Sequence, residues 1–136
     1  MTRSSLVSPL LATVGYMLVV VALLVVPTSA PHEPRGYLTE YQLTLGRRVV
    51  ADVAVNIAIF VPIGWGLHRG GRRLRVRPGA RLLGVAVAAA LFSAVMETLQ
   101  FWLPGRYSSV VDVAANTLGA ALGAWAEARH GSRRTA

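Results

Sequence analysis

The sequence predicts an all-α, polytopic integral membrane protein of about four transmembrane helices, with N- and C-termini both on the inside. Three observations carry this prediction. Of 136 residues, 54% are hydrophobic and 15% charged, against roughly 25% charged in an average soluble domain. The apolar residues bunch into four runs, 9–26, 49–67, 82–103 and 110–126, and each is in the range of about 17–25 residues that lets a helix cross a bilayer. The arginines then sort by segment. "HRGGRRLRVRPGAR", between the second and third runs, holds six of them, Arg3 precedes the first run, and Arg129, Arg133 and Arg134 follow the fourth. These places share one side if every run crosses, and the positive-inside rule makes that side cytoplasmic.

The first run follows "MTRSS" and precedes "PTSA", a pattern also found in signal peptides cleaved near Ala30. Its apolar part is longer than the roughly 7–15 residues of a signal core, so it reads as a retained span. Removal would leave three spans and the same topology. The outer segment 27–48, "PTSAPHEPRGYLTEYQLTLGRR", begins too Pro-rich for helix. Its second half fits a short amphipathic helix on the membrane surface, with Tyr37 and Tyr41 at headgroup level. The second run contains Pro62, which removes a backbone hydrogen bond and frees the carbonyl of Ala58. The inner loop turns at Pro78-Gly79, and the third and fourth runs are joined by about six residues, "PGRYSS". The whole reads as one domain, 1–136, with a basic tail at 128–136.

The net charge of +8 does not indicate a nucleic-acid partner, because no RNA- or DNA-binding motif or aromatic platform accompanies it. Cysteine is absent, which excludes disulfides and thiolate metal sites. His32, His68 and His130 fall in loops, tails or span ends, and no metal is assigned to them.

Polar residues concentrate at one depth. Asp52 and Asn56 near the start of the second run, Glu97 and Gln100 near the end of the third, and Asp112 and Asn116 at the start of the fourth all lie within about 12 Å of the outer interface at a helical rise of about 1.5 Å per residue. Their spacing is helical. Asp52, Asn56, Phe60 and Gly64 recur every four residues; Ser93, Glu97 and Gln100 share a face; Asp112, Asn116, Gly119 and Gly123 share another. Gly119 and Gly123 form a GxxxG pair that permits close helix approach. The stripes are therefore expected to face the bundle interior, where costly polar groups find partners. Arg47, Arg48 and Arg106 lie on the outer side, where topology does not account for them, and a guanidinium there pairs with a carboxylate or grips a phosphate bidentately. Each feature also has a structural interpretation: Asp52 snorkelling, Asp112 complementing a helix N-terminus, Arg106 and Glu97 as a plain ion pair.

"NIAIFVPIGW" (56–65) and "SAVMETLQFWLPGRYSSVVDVAANTLGAALGAW" (93–125) resemble the two signature blocks of the VanZ-like membrane proteins. The resemblance spans about 47–127 and maps the family pattern onto Asn56, Phe60, Pro62, Gly64, Glu97, Gln100, Arg106, Asp112, Asn116, Gly119 and Gly123. It implies a small bacterial multi-pass protein of the cytoplasmic membrane, in a family named for a member associated with resistance to teicoplanin, a lipid-tailed glycopeptide. Many members carry a further acidic residue three positions after the arginine, where this chain has Ser109; a cation role for that carboxylate does not carry over.

Three functions compete at this stage. In the first, the outer pocket binds an amphiphile such as a membrane lipid, a lipid-linked envelope precursor or a lipoglycopeptide, with Arg106, Arg47 and Arg48 on its phosphate or carboxylate and Asp52, Asn56, Glu97, Gln100, Asp112 and Asn116 on the rest of the head. In the second, Glu97 and Asp112 act as acid and base in a lipid-modifying enzyme. No cofactor is expected, although Mg²⁺ or Ca²⁺ would suit an oxygen-ligand site at these carboxylates. In the third, the polar network is structural and the protein is a partner subunit.

Overall fold

The computed structural model describes residues 4–25, 38–73, 76–101 and 109–132. These form four helices: α1 (Ser4–Val25), α2 (Leu38–Gly70) followed by a 3₁₀ turn (Gly71–Arg73), α3 (Pro78–Phe101) and α4 (Val110–Ser132). Two of them contain stretches long and apolar enough to cross a membrane, Val49–Gly70 and Pro78–Leu99, and α1 contributes a shorter apolar stretch, Leu10–Ala22.

Two local expectations are corrected. The segment 38–48 is not a separate surface helix; it forms the first three turns of α2, whose 33 residues extend about 50 Å at the rise of an α-helix. Between Leu38 and Val49 no proline interrupts the chain, so nothing stops the helix from propagating. Pro78 does not form a turn with Gly79 either. It is the first residue of α3, where its missing N–H is one of the groups a helix leaves unpaired anyway, and the Arg77 carbonyl accepts the Arg81 N–H at 3.0 Å.

Pro62 leaves α2 continuous. The Tyr16 hydroxyl of α1 donates to the Ile59 carbonyl at 3.1 Å, supplying a donor beside the turn that Pro62 disrupts. This bond falls on the carbonyl next to that of Ala58, within the turn that Pro62 interrupts.

Side-chain contacts fix the directions. Tyr16 meets Ile59, and Leu10 lies against Gly70, so α1 and α2 are antiparallel. Asn56 meets Asp112 and His68 meets Glu127, so α2 and α4 are parallel. Glu97 meets Ser109 while Ser93 meets Asn116, so α3 and α4 are antiparallel. The arginine-rich connection, the start of α1 and the end of α4 therefore gather at one end of the bundle, as the arginine sorting requires.

The parallel pair α2/α4 is the closest contact. A Cβ added to Gly64 would collide with the backbone of Ala120, one on Gly119 with the Ile57 carbonyl, and one on Gly123 with the Val61 carbonyl. Glycine is required at this seam because backbone meets backbone. Beside it, Phe60, Ile63, Val85, Ala89, Ala120 and Ala124 form the apolar core, with Phe92 tilted against Phe60 at a centroid distance of 6.1 Å.

The burial pattern runs opposite to that of a water-soluble bundle. Leu18, Leu83 and Leu91 are about two-thirds exposed, whereas His68, Ser93, Glu97, Asn116 and Glu127 are buried. Large apolar side chains outside and paired polar groups inside are what a hydrocarbon solvent favours.

Candidate functional site

Helices α2, α3 and α4 bring Asn56, Glu97, Asp112 and Asn116 together at the end opposite the arginine-rich connection. The site begins at the start of α4. Ser109 caps this helix, its carbonyl accepting the N–H groups of Asp112 at 3.1 Å and Val113 at 3.4 Å. Its own N–H donates to Oε2 of Glu97 at 2.7 Å. Glu97, 8% exposed, thus reaches from α3 to hold the residue that precedes α4, at the N-terminal end of that helix.

One turn further along α4, Asn56 Nδ2 of α2 donates to Asp112 Oδ1 at 2.8 Å. A turn deeper still, Asn116 Nδ2 donates to Ser93 Oγ of α3 at 2.8 Å. The carbonyl oxygen of that amide, Asn116 Oδ1, is buried and has no donor among the described residues. A buried acceptor left unmatched costs about 1–3 kcal/mol. It is therefore the point in this layer where an incoming donor gains most.

Asp52 departs from the expected arrangement. It lies on the Asn56 stripe yet is exposed, because α4 begins opposite Asn56 and does not reach the next turn of α2. It stays near enough to Asp112 for the two carboxylates to repel. Gln100, Arg47 and Arg48 belong to helices α3 and α2, but their side chains lie outside the described residues, as does Arg106 altogether. The structural members of the pattern are placed as expected: Phe60 in the core, Gly64, Gly119 and Gly123 at the α2/α4 seam, and Pro62 within α2.

A second buried polar group escaped the sequence reading. At the arginine-rich end, His68 Nδ1 is 2.7 Å from Glu127 Oε2, with both side chains 1% exposed. Arg72 Nη2 lies 2.6 Å from Glu127 Oε1 and 3.4 Å from the Glu127 carbonyl oxygen, to which it donates. The signal was present. The stripe Asp52, Asn56, Phe60, Gly64 continues with the same period to His68 and Arg72, and the α4 stripe continues from Gly123 to Glu127. Among the described residues no group of three or more His, Asp or Glu side chains is gathered as a metal site; at the second group Arg72 occupies the carboxylate.

A family model described as VanZ/LLP1 matches residues 13–127. Neither a curated protein nor a solved structure matches.

Proposed function

Because the chain belongs to the VanZ/LLP1 family, we propose that it is a multi-pass protein of the bacterial cytoplasmic membrane whose polar layer of α2, α3 and α4 binds the head of an amphiphile in the outer leaflet. On this reading all four helices cross the bilayer, with the arginine-rich end in the cytoplasm. The apolar exteriors of the helices and the polar interior support it. So does the asymmetry between the ends: Asn56, Glu97, Asp112 and Asn116 contribute acceptors and donors of both kinds, which suits a polyfunctional head better than a bare ion.

The observation that carries the proposal is the buried Asn116 Oδ1, which has no donor among the described residues, in a layer where Asn56, Glu97 and Asp112 are hydrogen-bonded between elements. A hydroxyl or amide N–H of a bound head would supply the donor. Arg106, near the mouth in sequence, would take a phosphate or carboxylate of the same head. A membrane lipid, a lipid-linked envelope precursor and a lipid-tailed glycopeptide all have this chemistry. Tolerance of teicoplanin-type compounds would follow from binding the last of these.

The contacts of Glu97 and Asn56 favour one second reading, a structural network. Glu97 caps α4 and Asn56 ties α2 to it, as a small assembly subunit would require. Native mass spectrometry of amphiphiles co-purified with the wild type and with Arg106→Ala separates the two. A defined amphiphile on the wild type that is missing from a folded variant supports binding. Identical unselective lipid on both refutes it and leaves the structural network.

A further inference from the structure

The exposed faces of α2 and α4 carry matching sequences toward the arginine-rich end. On α4, Leu118, Leu122, Trp125 and Arg129 follow steps of four, three and four, one helical stripe, and Leu118, Leu122 and Trp125 are 49%, 43% and 47% exposed. On α2 the same steps join Ala58, Pro62, Trp65 and Arg69, with Trp65 38% exposed. Since the two helices are parallel and Gly123 abuts the backbone at Trp65, the indoles sit at one height.

Each tryptophan carries an arginine one turn nearer the end. Arg129 Cζ lies 4.1 Å from the centroid of Trp125, and Arg69 Cζ 4.9 Å from that of Trp65. A cation–π contact orients a guanidinium without neutralising it, so its N–H fork remains able to grip a phosphate bidentately. Arg72 differs: its charge is spent on Glu127. Among the described residues neither Arg69 nor Arg129 is paired with a carboxylate, and Glu127 is taken by His68 and Arg72. Beside Arg129, a groove of about 210 Å³ is lined by Trp125, Ala126, Arg129 and His130. From Leu118 to Arg129 the stripe passes from apolar to indole to cation over about 16 Å of helix, the order in which a leaflet passes from hydrocarbon through its interface to phosphate.

We propose that Trp65–Arg69 and Trp125–Arg129 form a pair of clamps for the phosphodiester heads of anionic phospholipids in the leaflet on the arginine-rich side. The inference rests on the membrane reading above but not on an amphiphile at the opposite end. It separates two roles among the arginines: Arg69 and Arg129 select lipid, and Arg72 holds the bundle.

The test uses the full chain carrying Trp102→Phe, so that Trp65 and Trp125 report alone. Reconstituted in nanodiscs, its fluorescence is quenched by phosphatidylglycerol or phosphatidylcholine labelled at the same acyl position, and the ratio gives relative association. An arginine near the surface contributes about a fivefold preference for anionic lipid. The parent should therefore prefer phosphatidylglycerol about fivefold or more, falling toward unity in Arg69→Gln/Arg129→Gln and persisting in Arg72→Gln. Arg77→Gln, at an exposed loop arginine, serves the same purpose if Arg72→Gln does not fold. Equal quenching by both lipids in the parent overturns the proposal. A preference that survives the double substitution, or that Arg77→Gln abolishes equally, assigns the effect to diffuse loop charge and also overturns it. Selective retention of single-stranded RNA without lipid preference would make the partner a nucleic acid instead. Failure to enter nanodiscs at all would refute the membrane reading, a separate result.

Discussion

Substituting Gly64 by alanine tests the seam on which both polar groups depend. The added methyl would meet the Ala120 backbone, which has no rotamer to yield, so α2 and α4 must separate. Overpacking of this kind costs about 1–3 kcal/mol. Separation also strains the two hydrogen bonds on either side of the seam, Asn56–Asp112 at 2.8 Å and His68–Glu127 at 2.7 Å, each contributing about 0.5–1.5 kcal/mol. Against this, alanine gains about 1 kcal/mol over glycine in helix propensity. Mid-range values leave a net loss of about 3 kcal/mol, roughly a hundredfold in the folded fraction. The assay is equilibrium unfolding in dodecyl maltoside micelles titrated with sodium dodecyl sulfate, followed by circular dichroism. Gly84, in α3, is the control, because a Cβ there has nothing within 4 Å. Gly84→Ala should be neutral or stabilising by up to about 1 kcal/mol. If Gly64→Ala is as stable as the wild type while Gly84→Ala behaves as stated, the close seam is refuted.

Glu127→Leu leaves the buried His68 Nδ1 without its hydrogen-bond partner and should cost about 1–3 kcal/mol in the same unfolding assay. His68→Leu/Glu127→Leu should recover much of this, since Arg72, 39% exposed, turns to solvent; equal losses in both variants would show that the pair contributes nothing specific. Ser93→Ala/Asn116→Leu removes both partners of one bond, which is close to neutral for stability, and should unfold within about 1 kcal/mol of the wild type yet lose any co-purified amphiphile in native mass spectra. Retention of the ligand would exclude Asn116 from the site. The absence of cysteine allows single cysteines to be placed at His32 and Gly79 and labelled with an impermeant maleimide. Position 32 should react in intact cells and position 79 only after permeabilisation, and the reverse would refute the proposed orientation.

Much of the fold was legible because hydrophobic length and charge placement act locally. The four apolar runs became four helices, and the stripes gave Asn56, Phe60 and Gly64, Ser93 and Glu97, and Asn116, Gly119 and Gly123 on the faces that meet, with Asp52 left exposed. The GxxxG pair announced a close contact, since only glycine admits a facing backbone. The misreadings were also local. Tyr37 to Arg48 resembled a separate surface helix by composition, but helix propagates unless a breaker stops it. Pro78 resembled a turn, though proline suits the first helical turn equally well.

Partnership was beyond the reach of sequence. The spacing of Glu97 could not reveal that it accepts the Ser109 N–H before α4, because that depends on how α3 and α4 are offset. Asp52 shares a stripe with Asn56, yet only the point where α4 begins decides that one is paired and the other exposed. His68 and Arg72 read as a span end and a loop charge and Glu127 drew no reading; parallel packing of α2 and α4 joined them, with His68 and Glu127 buried. Sequence by itself determined which faces had to be hidden and which end carries the positive charge, since both follow from the cost of placing polar groups in an apolar medium. Tertiary structure decided which polar group meets which, because the offset between α2 and α4 is set where the glycines of each helix meet the backbone of the other.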